Sequence, residues 1–263
     1  MGIKPRYYLI VVLDIEQFGR RTDPLQQWLR ERLHAITDEA LREAGIGPAD
    51  MEAVSDRGDG SFLLIRPTVS KLDLTTRFVD ALQAGLRGHA QRSNEDSALR
   101  VRVALHAGDV ARDDRGWVGE ALNTACRLVD LDALRAALGA ADRSGLALAV
   151  SADWHTAVVR HDFPELPAAG FREVPFEAKE IHSHAWLHVP GYDEPPGVGS
   201  SPAPGKPAES ARAATGQGPA SGNHGPFAGA VFHNPQRVYG GDHYEGVDPA
   251  QVRPRDGGQG AGA

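Results

Sequence analysis

Cysteine is all but missing from these 263 residues. Cys126 stands alone, which excludes an intrachain disulfide and any zinc site built from several thiolates. Long apolar runs are missing too: the longest, residues 7–13, is far short of the roughly 20 residues a helix needs to cross a bilayer. The start, Met1-Gly2-Ile3-Lys4-Pro5-Arg6, lacks the small-residue cleavage site of a signal peptide. Basic residues are in deficit, 28 Lys and Arg against 35 Asp and Glu, so the net charge of -7 has the wrong sign for a nucleic-acid footprint. The expectation is a soluble cytoplasmic protein of a reducing compartment, with neither a membrane nor a nucleic acid as partner.

Gly and Pro are plentiful, but in one place. Residues 191–263 carry 16 of the 30 glycines and 10 of the 18 prolines. That composition cannot bury enough apolar surface to offset the entropy of folding. The reading is a globular domain over 1–190 and a disordered Gly/Pro-rich tail over 191–263. Within the globular part, residues 7–13 form a continuous β-branched run, a strand buried on both faces that ends at Asp14. Apolar residues then recur at helical spacing from Leu25 through Trp28, Leu29, Leu33, Ile36 and Ala40 to Leu41, stopped by Gly45 and Gly47. Residues 51–57 and 61–65 read as strands joined by the tight turn Gly58-Asp59-Gly60. A helix over 71–89, a strand over 99–106 and a helix over 119–129 follow, then strands at 146–150, 171–176 and 181–189 with a short helix after Ser151. This β-α-β-β-α-β order with additions describes a ferredoxin-like α+β core.

The strand ends carry the chemistry. In that topology Asp14 and Asp59 lie on neighbouring strands of one sheet, where their carboxylates can converge. Two such carboxylates repel unless a hard divalent cation neutralises them, and Mg²⁺ or Mn²⁺ favours oxygen ligands. Taken singly, Asp59 also reads as a turn residue and Asp14 as a cap. Phe18-Gly19 sits in the loop after Asp14, whose backbone N–H groups suit a phosphate. Asn123 and Arg127, four apart on one helical face, suit a sugar and a triphosphate, or a merely solvated face. His182, His184 and His188 share a strand face, which reads as exposed surface more simply than as a metal site.

Together the segments Leu13-Asp14-Ile15-Glu16-Gln17-Phe18, Arg57-Gly58-Asp59, the run 101–110 (VRVALHAGDV) and Gly119-x-x-x-Asn123-x-x-x-Arg127-Leu128 resemble the class III nucleotidyl cyclases. The resemblance implies that Asp14, Asp59 and the main-chain carbonyl of Ile15 hold two Mn²⁺ or Mg²⁺ ions per site. It implies that Asn123 and Arg127 act on ribose and triphosphate in the site of a second subunit, so that the working form is a homodimer with shared sites. The substrate it implies is a nucleoside triphosphate, cyclised with release of pyrophosphate.

Two positions depart from that pattern. Adenylyl cyclases carry a lysine, and guanylyl cyclases a glutamate, where this chain has Ser55. Their Asp or Thr purine partner is Gly116 here. Arg57 alternates with Ser55 and Asp59, so it can face the same pocket, and Trp117 adds bulk. The combination is similar to the bacterial pyrimidine cyclases of Pycsar anti-phage signalling systems. It implies a UTP-to-cyclic-UMP enzyme. A CTP or atypical ATP cyclase is one alternative reading, and a catalytically inactive dimerisation module another. In the tail, residues 223–246 mix Gly and Asn with Phe and Val, which reads as a disordered linker with incidental aromatics more simply than as its faint likeness to motifs that recruit an effector protein through cross-β pairing.

Overall fold

In the computed structural model the described residues are 4–56, 58–178 and 181–199. Arg57 and the tail segment 223–246 lie outside them. The β-branched run forms β1, Arg6–Ile15, two residues longer than expected at its C-terminal end, so Asp14 lies inside the strand rather than after it. The other sheet members are β2 (Met51–Asp56), β3 (Gly60–Ile65), β4 (Val101–Arg112), β5 (Trp117–Val118), β6 (Leu146–Ser151), β7 (Arg172–Ala178) and β8 (Ile181–His188). The strand order is β2-β3-β1-β4-β6-β8-β7, with the short β5 paired to β4. Only the β4–β6 pair is parallel; the other pairs are antiparallel.

Side chains alternate across β1, so one strand feeds two cores. Leu9, Val11, Leu13 and Ile15 face helix α1 (Asp23–Glu43) and a second helical run. That run comprises α2 (Lys71–Asp73), a π-helical stretch Leu74–Phe78 and α3 (Val79–Ala90). The π stretch coincides with Thr75 and Thr76, whose hydroxyls donate to the carbonyls four residues back at 2.7 and 2.8 Å and compete with the regular ladder. Tyr8, Ile10 and Val12 face the other way, toward α4 (Glu120–Val129) and α5 (Asp132–Ala140). Helix α6 (Ala152–Ala157) follows β6, its first turn capped by Ser151. Among the described residues no helix is long and apolar enough to cross a membrane.

Two details differ from the sequence reading. Trp28, placed on the buried stripe of α1, is 40% exposed and leans on His89, with ring centroids 5.4 Å apart. The packed chain also runs past Pro190. Tyr192 joins the α4–α5 core and its hydroxyl donates to Asp142, while Gly197 lies against the Ala136 carbonyl. The ferredoxin-like arrangement itself is as expected.

Candidate active site

The β1–β3 register places Asp14 opposite Gly60, and the Ile15 N–H donates to the Asp59 carbonyl at 2.8 Å. Asp59 is thereby drawn to the end of β1, and both aspartates line one small cavity with Leu13, Gly60, Cys126 and Val129. Only glycine fits at 60. A Cβ there would sit 2.1 Å from the Leu13 carbonyl oxygen. Gly60→Ala must therefore push β3 off β1 beside Asp14, and we expect a loss of about 2–3 kcal/mol in urea unfolding. An unchanged midpoint would show that the two strands do not meet this closely.

Asp14 is 4% exposed and sits directly across from Arg102 of β4, which is 9% exposed and contacts its Oδ2. Burial pushes the Asp14 carboxyl up to about 7. Arg102 opposes that shift, and the charges of Asp59 and Asp130 add to it. Asp130, at the end of α4, is itself shifted upward by burial, against the pull of Arg135 at 2.5 Å. Arg102, Asp130 and Arg135 were not among the residues singled out from sequence. The one available signal was an arginine inside a strand whose neighbours Val101 and Val103 are apolar.

The donor set suits a hard cation only in part from protein. Among the described residues no three carboxylate, imidazole or thiol groups lie close enough to enclose a metal ion. Two carboxylates at one strand end, one of them lifted toward neutrality by burial and like charge, still fit a Mg²⁺-type ion that completes its shell with phosphate oxygens and water.

The turn below this cavity is held from α1. Asp56, beside Ser55, is bound by Arg30, by His34 Nε2 at 3.2 Å and by the Gly58 N–H at 2.8 Å. Those bonds outweigh its burial and hold its carboxyl well below the usual range. His34 is raised in turn, chiefly by its bond to Asp56.

Ser55 is half-buried opposite Phe62, which is itself opposite Val12. Trp117 stacks edge-on against Tyr8 at 6.0 Å, with the Arg112 guanidinium 5.5 Å above its ring. Ser55 is on β2 and Trp117 on β5, with β3, β1 and β4 between them in the sheet. Gly116 has φ 150°, where a side chain is strained, and its N–H bonds Asp113 Oδ1 at 2.8 Å to close the β4–β5 turn.

Phe18 and Gly19 open a 3-10 turn after Gln17, a non-glycine residue at φ 56°. Phe18 packs on the core, and Gly19 has open space around its Cα. Asn123 and Arg127 are half-buried on the outer side of α4, while Cys126 and Val129 of the same helix line the Asp14–Asp59 cavity. Within one chain Asp14 and Asp59 thus line this cavity, with the Ile15 N–H bonded to the Asp59 carbonyl, and Asn123 and Arg127 are not among its lining residues. A larger cleft of about 400 Å³ on the other flank of α4, between His106, Thr124, Ser151 and His184, takes none of these residues. We place the site at the strand ends because the converging carboxylates are there. His182 and His184 are exposed, and His188 bonds the Gly170 carbonyl at 2.9 Å.

Comparison with known proteins agrees with this architecture. No family model matches the chain. A protein of Rhizobium meliloti (strain 1021), whose name marks it as a candidate adenylate cyclase, is 24% identical over 208 residues. The match spans 79% of this chain but only 33% of that relative, about a third of its length. Among solved structures, an adenylate/guanylate cyclase/hydrolase from Silicibacter pomeroyi superposes with a TM-score of 0.51 at 18% identity, covering 72% of this chain and 99% of that one. The guanylyl cyclase Cya2 gives 0.50 at 15% identity, covering 72% and 93%. The chain has the fold of the class III adenylate/guanylate cyclases.

Proposed function

We propose that this protein is a metal-dependent nucleotidyl cyclase that converts UTP to 3′,5′-cyclic UMP and pyrophosphate. The observation that carries the reading is the convergence of Asp14 and Asp59 at the end of β1, on a cyclase fold, with Asn123 and Arg127 on the adjoining helix. Mn²⁺ or Mg²⁺, two per site, would be held by Asp14, Asp59 and the Ile15 carbonyl and would supply Lewis-acid charge neutralisation. The backbone amides of Phe18 and Gly19 take the triphosphate. The ribose 3′-hydroxyl loses its proton to solvent as its oxygen attacks the α-phosphorus, and the bond to the bridging oxygen of pyrophosphate breaks. Arg127 stabilises the charge that develops on the phosphate oxygens, and Asn123 orients the ribose.

Asn123 and Arg127 stand outside their own chain's carboxylate cavity. They serve the site of a second copy, so the active form is a homodimer with two shared sites. The cyclic product acts as a second messenger in antiviral defence, read by an effector protein.

The base assignment rests on what faces it. With Ser55 and Gly116 in place of charged or polar readers, a purine edge is left partly unpaired, at roughly 1–3 kcal/mol per lost bond. Arg57, outside the described residues, is positioned in sequence to donate to a uracil carbonyl, and Trp117 narrows the space. Given Mn²⁺ and each of ATP, GTP, CTP and UTP separately, the purified protein should turn over UTP fastest, by one or two decades over purines, roughly. Arg57→Ala should lower UTP turnover more than metal affinity. Faster turnover of ATP would discard the uridylate assignment in favour of the second reading, an atypical adenylyl cyclase. The adenylate-type name of the Rhizobium relative favours that reading.

A further inference from the structure

The turn at residues 16–21, which follows Asp14 and Ile15 directly, is fastened from behind by one side chain. Arg21 spends its guanidinium on three backbone carbonyls: Nη1 donates to Glu16 at 2.7 Å, Nη2 to Ala98 at 2.8 Å and Nε to Asp96 at 3.1 Å. The first bond closes the turn on itself, and the other two attach it to the loop before β4.

That loop is braced by its own hydrogen bonds. Asn94 Oδ1 accepts from the Ser97 N–H at 3.0 Å, and Ser97 Oγ accepts from the Asn94 N–H at 3.1 Å. The Ser97 carbonyl accepts from Nε2 of His89, a buried residue of α3, at 2.9 Å. Glu16 adds a parallel tie: its N–H donates to the Arg100 carbonyl at 2.9 Å, and its carboxylate forms an ion pair with the Arg100 guanidinium. Downstream, Gln26 Nε2 holds the Arg21 carbonyl at 2.8 Å.

The turn needs such fastening. Gln17 lies in the left-handed region, a conformation that strains a non-glycine residue and persists only where the surroundings over-determine it. A planar guanidinium can bond three acceptors in fixed directions, which an ammonium on a flexible stem cannot.

We infer that Arg21 is a positioning residue for the triphosphate: it fixes turn 16–21 so that the Phe18 and Gly19 amides are held ready for the phosphate oxygens. This rests on the nucleotide reading of the site. Arg21 does not touch the reacting atoms; it acts through the backbone it holds.

The test compares wild type with Arg21→Met and Arg21→Lys. Two quantities are measured: steady-state kinetics with UTP and Mn²⁺, and calorimetric binding of inorganic tripolyphosphate with Mn²⁺. Both variants are expected to raise KM and weaken tripolyphosphate by at least about tenfold while kcat stays within about twofold. Arg21→Lys shares the defect because it keeps the charge but not the three-way geometry. A variant that loses only thermal stability, with KM and tripolyphosphate affinity unmoved, overturns the inference. So does wild type that binds UTP but not tripolyphosphate. Wild type that binds no nucleoside triphosphate at all overturns the functional reading beneath it.

Discussion

Asp14→Asn and Asp59→Asn chains should fold and yet cyclise no nucleotide, with turnover down by about three decades or more in saturating Mn²⁺. Each substitution removes one of the two carboxylates that meet at the end of β1, and no third ligand of the right kind is close enough among the described residues to replace it. The same change should leave metal-free stability level or higher. Burial pushes the Asp14 carboxyl of the folded chain up to about 7, from an ordinary value of 3.8. The folded state therefore binds the proton more tightly than the unfolded one, and Asp14 costs stability increasingly as pH rises from about 4 through 7. Asparagine is neutral throughout, and its side-chain oxygen still accepts from Arg102. The melting temperature of Asp14→Asn should thus match wild type near pH 4 and exceed it at pH 8 without metal. A fully active Asp59→Asn protein would end the two-carboxylate reading. A variant that melts below wild type at pH 8 would show that Arg102 needs a full counter-charge.

Arg127→Ala should cost about 10²–10³ in kcat, the usual loss for a donor aimed at transition-state charge. Mixed with Asp14→Asn chains, it should regain activity. In a mixed dimer one site takes its carboxylates from the Arg127→Ala chain and its arginine from the Asp14→Asn chain, and is complete; the other site is doubly defective. Random exchange at equal concentrations makes half the dimers mixed, so about a quarter of wild-type activity is expected. No recovery after confirmed subunit exchange would place the whole site within one chain.

The parts of this site that were legible in sequence are those with a local signature. A β-branched run ending in Asp, a Gly-Asp-Gly turn and two polar residues four apart on a helix each announce their own geometry, and the sheet order then brings Asp14 to Asp59. Arg102 was not legible for a specific reason. Alternation in residues 99–106 reads as a strand with one wet face, yet α4 and α5 cover that face, and Arg102 and His106 are buried. Helix α5 escaped because its buried stripe is only Leu134, Ala137 and Leu138 and its N-cap, Leu131, supplies no capping side chain. Asp130 and Arg135 flank that unread start. The platform beneath Arg21 is made of carbonyl groups, which every residue has, so no residue type betrays it.

Under the proposed base assignment, Gly116 sets a limit on how this protein could change its substrate. Its φ of 150° closes the β4–β5 turn through Asp113, and an L-residue with a side chain is strained in that conformation. Restoring an aspartate or threonine there is therefore no isolated swap of one side chain for another, because the turn must be rebuilt around it. Intermediates with the new side chain on the old turn would carry the strain before gaining any contact with a purine. Under the proposed base assignment, a lineage starting from this sequence would face a valley between base specificities, held there by backbone conformation as much as by the groups that touch the base.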